Sequence, residues 1–147
     1  MTKLVWMFGS MFALLVLSSP SGAQQLEYIG KPVRGIPVSS AVKVGKFVFV
    51  SGTPGYKDGK IAIGDFPAQM KQVMDNIANT LKSAGTGFDR VVKTNVLLTR
   101  AGDFDDMNRI YATYFPDGKY PARTTVVVAG LPSPDFLLEI ECEAVME

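Results

Sequence analysis

Arg123, which opens the β-branched run at residues 124–128, is the residue in this chain with the clearest capacity for chemistry. A buried or half-buried strand should not admit a guanidinium, which never loses its charge, unless an anion or a bidentate ligand compensates it. Arg123 is therefore a candidate anion receptor. The alternative is a structural ion pair between Arg123 and a glutamate, since ion-pair networks also lie on sheets.

Three glutamates recur at every second residue near the end of the chain, namely Glu139, Glu141 and Glu143. A period of two places their carboxylates on one face of a strand. If that strand neighbours the strand of Arg123, one glutamate and Arg123 would share a pocket. Arg123 would hold a carboxylate substrate, while the glutamate handles protons or water. Cys142 lies on the other side of the strand, where an inert core thiol is favoured over a reactive one.

The chain contains no histidine and a single cysteine. These counts exclude a Ser-His-Asp triad, a Cys-His pair, imidazole-ligated zinc and an intrachain disulfide. Acid and base chemistry must then come from carboxylates, tyrosines, lysines, backbone groups or water. We expect neither a metal nor a cofactor.

The first 23 residues have the pattern of a secretory signal peptide. Lys3 is followed by an apolar stretch at residues 6–17, and residues 21–23 form a small-residue cleavage site. The apolar stretch is short for a bilayer span, although an uncleaved anchor is the alternative. We expect cleavage after Ala23, a periplasmic or secreted location, no stable membrane association afterwards, and a single domain over residues 24–147.

The charge balance argues against nucleic acid as a partner. The whole chain has 15 basic and 14 acidic residues, and removal of residues 1–23 takes Lys3 and no acid with it. A mature chain of zero net charge without a cluster of basic residues lacks the electrostatic footprint that phosphate binding requires.

The strand signals are short. Residues 27–29 suggest an edge strand, and residues 41–44 and 47–51 flank the dipeptide Gly45-Lys46, which suits a two-residue type II′ hairpin. Residues 51–55 should end the hairpin in an irregular loop. A further strand is expected at residues 91–99, with Lys93 and Asn95 on the same side as Val91 and Leu97.

Two helices are predicted by apolar spacing. Asp65 or Phe66 should cap the first helix, Pro67 belongs to its first turn, and Gly85 ends it. Asp103 should cap the second helix. The apolar stripes are Met70, Val73, Met74, Ile77, Ala78, Leu81 and Ala84 in the first helix and Met107, Ile110, Tyr111 and Tyr114 in the second.

Because each helix has one apolar stripe, both should pack on the same face of a mixed sheet and give a two-layer α+β sandwich. The opposite face would carry Phe49, Val126 and Val128, which are costly to leave in water. We therefore expect that face to be buried against copies of the same chain.

Several segments in this order resemble the RidA/YjgF family of reactive-intermediate deaminases: VFVSG at residues 48–52, AQ, DNI, L and AG between residues 68 and 85, VVK at 91–93, MNRIY at 107–111, PARTTV at 121–126 and LEIECEAV at 138–145. The resemblance covers residues 37–147. It implies the chorismate-mutase-like α+β fold and a homotrimer with three active sites at subunit interfaces.

The resemblance also implies hydrolysis of enamine and imine acids, such as 2-aminoacrylate and 2-iminobutanoate, to a 2-oxo acid and ammonia. Arg123 matches the family arginine that grips the substrate carboxylate, and Glu139 matches the glutamate that positions water. Ser51 and Gly52 match a loop that lines the pocket. Thr125 stands where many members have cysteine and would contribute main-chain groups.

Asn108 matches an asparagine of the second helix, where it would either contact substrate or secure the adjacent loop. One departure from the family pattern is Val38, which stands where well-studied members place a tyrosine, so substrate preference or activity should differ. The main alternative is a non-catalytic trimeric protein that binds small carboxylates. Chaperone-like or ribonucleolytic activity gains little support from a neutral chain.

Overall fold

The computed structural model describes residues 24–30 and 35–146, so the expected signal peptide lies outside the described residues. Six strands form one sheet in the order β1-β2-β3-β6-β4-β5. Only β4 and β5 pair in parallel; the other neighbours are antiparallel. The strands are β1 (Leu26–Ile29), β2 (Ala41–Val44), β3 (Phe47–Thr53), β4 (Val91–Leu98), β5 (Ala122–Val127) and β6 (Leu138–Val145).

Helices α1 (Phe66–Ala84) and α2 (Phe104–Ala112) pack on one face of this sheet. Their buried side chains join those of the strands in one hydrophobic core. The predicted two-layer α+β sandwich is therefore confirmed. Within the described residues, no helix has the length and apolarity needed to cross a membrane.

Local signals set both ends of α1 as predicted. The Asp65 carboxylate accepts a hydrogen bond from the Ala68 N–H at 3.0 Å, so Asp65 and not Phe66 is the cap. Gly85 adopts the left-handed conformation with φ of 85°, and its N–H donates to the Lys82 carbonyl.

Asp103 is the N-cap residue of α2, as predicted, but its side chain does not cap the helix. Asp103 directly precedes the helix, but its carboxylate makes no hydrogen bond to the helix backbone. It accepts hydrogen bonds from Arg100 instead, at 2.7 Å from Nε and 3.0 Å from Nη2. A short 3-10 turn at Ala101–Asp103 brings the two side chains together. The ion pair therefore replaces the cap.

The hairpin forms as predicted, with Gly45 at φ of 55° between β2 and β3. Its end differs from the prediction, because β3 continues to Thr53 where a loop was expected. Pairing of β3 with β6 shifts register between Val50 and Thr53. This irregularity leaves Ser51 and Gly52 without regular partners on β6.

A second bulge, between Val91 and Lys93, makes the predicted side of Val91 wrong. Val91 pairs with Ala144 and Lys93 pairs with Glu143, so two β4 steps correspond to one step on β6. Val91 consequently lies in the core, whereas Lys93 and Asn95 lie on the face away from the helices. Simple alternation could not place Val91 correctly.

The face of the sheet away from the helices, here called the open face, carries the three glutamates. Glu139, Glu141 and Glu143 pair with Leu97, Asn95 and Lys93 on β4, while the intervening residues of β6 are buried. The open face is uncovered in the single chain. Phe49 is 44% exposed and Val126 is 42% exposed, whereas Val128 is half-buried.

Candidate active site

Arg123 lies at the start of β5, at the edge of the sheet. The premise that its strand is buried is wrong for the single chain, since most of β5 is exposed. Arg123 pairs in register with Thr94, which is buried beneath the helices. Its side chain therefore lies on the helix side of the sheet and reaches α2.

Three residues of α2 hold the Arg123 guanidinium. Nη2 donates a hydrogen bond to Oδ1 of Asn108 at 2.7 Å, and Nη1 lies 3.6 Å from Sδ of Met107. The guanidinium carbon lies 4.9 Å from the centre of the Tyr111 ring, a cation–π distance. Tyr111 lies one turn after the adjacent residues Met107 and Asn108, so neighbouring positions on one side of α2 hold the arginine.

Tyr111 is fixed in turn by a buried hydrogen bond of 2.8 Å between its hydroxyl and Oγ1 of Thr94. Burial raises the pKa of Tyr111, although the Thr94 hydrogen bond and the Arg123 charge lower it. The ring therefore stays neutral at physiological pH and supports the guanidinium through its π face.

Within the described residues, Arg123 forms no ion pair. A guanidinium has five N–H donors, and its partners here are neutral. The structural ion pair considered from the sequence is absent from this part of the chain. Arg123 can accept an external anion without first breaking an internal salt bridge.

Thr125 lies two residues beyond Arg123 on the same side of β5, opposite Val96. Its Oγ1 is buried and has no hydrogen-bond partner within the described residues. An unpaired buried hydroxyl is costly, so Thr125 is an unusual residue at this position beside Arg123. We call Arg123, Thr125, Met107, Asn108 and Tyr111 the arginine cluster.

A second group of predicted residues, the glutamate cluster, consists of Ser51, Gly52 and Glu139. It forms where the β3 bulge meets the start of β6. A Cβ added at Gly52 would lie 3.3 Å from Oε2 of Glu139, so the missing side chain makes room for the carboxylate. Ser51 Oγ donates to the Ser39 carbonyl at 2.7 Å, which ties the bulge to the segment that contains the exposed Val38.

Glu139 is half-buried, and burial is the largest cause that raises the pKa of its carboxyl above the ordinary value. The negative charge of Glu141, two residues along the same face, raises this pKa further. A carboxylate with a raised pKa is a better proton acceptor than an ordinary surface glutamate. Glu139 is therefore a candidate general base.

Glu141 and Glu143 differ from Glu139 because they are exposed. Asn95 Nδ2 donates to Oε1 of Glu141 at 2.7 Å. Both glutamates line a hollow of about 210 Å³ on the open face, together with Phe49 and Lys93. Neither Arg123 nor Glu139 lines that hollow, so it is separate from the two clusters.

The arginine and glutamate clusters lie on opposite faces of the sheet within one chain. The strands of Arg123 and Glu139 are not neighbours, because β4 lies between β5 and β6. Arg123 pairs with Thr94, whose side chain lies beneath the helices. Glu139 pairs with Leu97, and both side chains lie on the open face. The single chain therefore does not bring the two predicted catalytic residues into one pocket.

The sequence assigned Met107 and Tyr111 to the core and missed their contact with Arg123. Both residues are buried, so the core assignment is confirmed. The Met107 sulfur and the face of the Tyr111 ring also contact the guanidinium. Their spacing from Asn108 was the available signal. Residues three apart on a helix share a face, so this spacing could have indicated Tyr111 but not Met107, which is adjacent to Asn108.

The comparisons with known proteins agree with this architecture. The family model described as Endoribonuclease L-PSP matches residues 32–146. The 2-iminobutanoate/2-iminopropanoate deaminase of Mus musculus is 41% identical over 111 residues, or 74% of this chain and 81% of that protein. Reactive Intermediate Deaminase A, chloroplastic, of Arabidopsis thaliana is 37% identical over 138 residues, or 92% of this chain and 73% of that protein.

A solved structure gives the same result for the fold. The crystal structure of RidA from the Antarctic bacterium Psychrobacter matches with a TM-score of 0.75 and 35% sequence identity. The match covers 82% of this chain and 99% of that one. The fold and the two clusters thus define an α+β protein with a candidate carboxylate receptor and a candidate general base. The chain belongs to the Endoribonuclease L-PSP family, which confirms the RidA/YjgF resemblance of its motifs.

Proposed function

We propose that this protein hydrolyses reactive 2-imino and 2-enamino acids to 2-oxo acids and ammonia. The observation that carries this proposal is the Arg123 guanidinium, which is held in place by neutral groups in a relative of named imine deaminases. A planar two-pronged donor suits the carboxylate that all these substrates share.

Each active site is proposed to combine two subunits. Arg123 and Glu139 lie on opposite faces of one chain, and the open face exposes apolar residues such as Phe49 and Val126. Association through that face would cover these residues and bring the glutamate cluster of one subunit to the arginine cluster of the next. We infer a homotrimer with three such sites, as the family resemblance implies.

The proposed reaction starts when the substrate, in its iminium form, binds Arg123 through its carboxylate. A water oxygen adds to the iminium carbon, and Glu139 of the partner subunit accepts a proton from that water. Glu139 then returns the proton to the nitrogen of the tetrahedral intermediate. The C–N bond breaks as the carbonyl forms, and the hydroxyl proton leaves with ammonia as ammonium.

This chemistry suits a chain without histidine, since the protonated imine is already electrophilic. The protein must orient the substrate and the water and place one base of raised pKa beside them. The buried hydroxyl of Thr125 adds a polar group next to Arg123, beyond the main-chain role expected from the sequence. Ser51 and Gly52 would form the wall beside Glu139.

The substrate range is proposed to include 2-iminobutanoate and 2-aminoacrylate. Val38 is 43% exposed and lies one residue before Ser39, whose carbonyl binds the Ser51 hydroxyl. An aliphatic side chain at this position cannot supply the phenol that well-studied family members place there. We therefore expect a weaker preference for polar substrate side chains and a stronger preference for aliphatic ones.

The experiment generates 2-iminobutanoate in solution with an amino-acid oxidase and follows its decay. The protein should accelerate the decay, and Arg123→Ala should remove most of the acceleration. Arg109→Ala is the matched control, because Arg109 lies on α2 next to Asn108 but pairs with Asp106 in a solvent-exposed ion pair. Equal acceleration by Arg123→Ala and the parent would refute the proposed role of Arg123.

We also propose that the protein is exported, with residues 1–23 removed after Ala23, and acts in the periplasm or outside the cell. The support is the order of a basic residue, an apolar stretch and small residues at the start of the sequence. Expression of the full chain in a bacterium, followed by fractionation and mass measurement, tests this. An intact chain that retains Met1 in the cytoplasm would contradict it.

A further inference from the structure

Gln69, in the first turns of α1, is a fully buried polar side chain outside both clusters. Its Nε2 donates to the Ala62 carbonyl at 2.8 Å and to the Asp135 carbonyl at 2.9 Å. Its Oε1 accepts from the Leu137 N–H at 3.0 Å. One amide therefore joins α1 to two loops that are far apart in sequence, one of which leads directly into β6.

The backbone of Leu137 is held from both sides. Its N–H donates to Gln69, and its carbonyl accepts from the N–H of Thr99 at 3.0 Å and from Oγ1 of Thr99 at 3.1 Å. Glu139 follows two residues later. The direction in which the chain enters β6, and so the direction of the Glu139 side chain, depends on how Leu137 is held.

The strand pairing around Glu139 makes this anchor important. Glu139 pairs with Leu97 on β4, but on its other side the β3 ladder ends one residue away, at the pair of Thr53 with Ile140. At this point the sheet therefore holds Glu139 through β4 alone. The anchor at Leu137 adds a second constraint on the N-terminal side of Glu139, opposite the Ile140 pair with Thr53.

Gln69 also lies against the loop that follows the bulge of β3. A Cβ added at Gly55 would lie 2.9 Å from the Gln69 carbonyl oxygen and 3.1 Å from its Cα. The loop thus passes directly over the helix turn at Gln69, three residues after Gly52. The end of β3 and the start of β6, which together form the glutamate cluster, therefore both contact this turn of α1.

We propose that Gln69, together with Thr99, is a positioning residue for Glu139, which sets the depth and direction of its carboxylate in the active site. The expected effect on kcat rests on the proposed deaminase function. The expected change in the environment of the Glu139 carboxylate does not depend on any substrate. The two consequences can be measured separately.

The main test is Gln69→Met, which keeps the length of the side chain and removes all three hydrogen bonds. We expect kcat for 2-iminobutanoate to fall about 10-fold to 100-fold, because small displacements of a catalytic group have effects of that size. KM should change by less than about 2-fold, since the arginine cluster is untouched. The Glu139 carboxyl titration, followed by NMR, should move from that of the parent.

The matched control is Val73→Ala, which removes core contacts from the next turn of the same helix. Assays are run well below the Tm of each variant. A purely structural role for Gln69 predicts that both variants lose stability but keep the kcat and the Glu139 titration of the parent. That result would overturn the inference.

A milder variant covers the case in which Gln69→Met does not fold. Thr99→Val removes the hydroxyl bond to the Leu137 carbonyl and keeps the backbone bond. It should shift the Glu139 titration in the same direction by a smaller amount and lower kcat more than it changes KM. An unchanged titration would refute the inference. If the parent protein hydrolyses no imine, the proposed function fails, but the titrations still decide the positioning role.

Discussion

The partners of a charged side chain decide what it can do. Arg123 is held by the Asn108 amide oxygen, the Met107 sulfur and the Tyr111 ring, all of which are neutral. A guanidinium bound to a carboxylate would have to lose that partner before it could bind a substrate. Arg123 is oriented without this cost, so its binding energy is available to a ligand anion.

Glu139 differs from Arg123, because its environment disfavours its own charge. Burial and the charge of Glu141 raise the pKa of its carboxyl, so the folded protein is less stable when Glu139 is ionised than it would be with a neutral residue there. Function and stability therefore make opposite demands at this residue.

Glu139→Gln should separate these two demands. As the loss of a general base, it should lower kcat about 10²-fold to 10⁴-fold with a smaller change in KM. The Tm should rise at pH values above the raised pKa of Glu139, because the unfavourable charge is gone. This gain should vanish as the pH falls below the ordinary carboxyl pKa, where Glu139 is protonated in both folded and unfolded states.

The same variant separates an enzyme from a binding protein. A non-catalytic carboxylate binder would keep or increase its affinity for a 2-oxo acid in Glu139→Gln and would show no turnover in either form. Calorimetric titration with 2-oxobutanoate, beside the imine decay assay, gives both readings. Turnover by Glu139→Gln at the rate of the parent would rule out its role as the base.

At the scale of the elements, the two bulges determine the site. The bulge in β3 leaves Gly52 facing Glu139, and the bulge in β4 moves Val91 into the core while Lys93 stays on the open face. A bulge changes the side to which every later residue points. The position of Glu139 beside Gly52 is thus a consequence of irregular pairing.

Gly52→Ala tests the role of the β3 bulge. The new methyl group would lie 3.3 Å from Oε2 of Glu139, closer than ordinary packing, so the carboxylate should shift and kcat should fall roughly 10-fold. Gly102→Ala is the control, because a Cβ there meets nothing within 4 Å. If the two variants have the same kcat, the close approach at Gly52 does not matter for activity.

Helix α1 and the alternation of β6 could be predicted from the sequence because their signals are local. Asp65, Pro67 and Gly85 mark the ends of α1 within a few residues of where they act. The bulges could not be predicted, since they depend on which strand pairs with which. The separation of Arg123 from Glu139 has the same origin, because the insertion of β4 between their strands is a property of the whole sheet.

At the scale of the whole molecule, the single chain holds the two parts of the proposed site on opposite faces of its sheet. One half offers an anion receptor at the edge strand β5, and the other offers a base beside the β3 bulge on the open face. The exposed Phe49 and Val126 on that open face favour burial against another copy. Oligomerisation would then be a requirement for catalysis as well as a source of stability.

Mixing two inactive variants tests this requirement directly. Arg123→Ala lacks the receptor and Glu139→Gln lacks the base, so each alone should be nearly inactive. When the two are co-expressed in equal amounts, a site built from two subunits receives an intact Arg123 in half of cases and an intact Glu139 in half of cases. Activity should therefore return to about a quarter of that of the parent.

A site contained within one subunit predicts a different outcome, because every chain in the mixture then lacks one of the two residues and no activity returns. The mixed oligomers are isolated with two different affinity tags, and the number of subunits is read by native mass spectrometry. The control is co-expression of Arg123→Ala with itself under both tags, which should stay inactive. Each isolated mixed trimer would contain one intact site of three, so recovery should rise from about a quarter in the whole mixture to about a third in the isolated particles. This is expected because the sheet holds Arg123 and Glu139 on opposite faces.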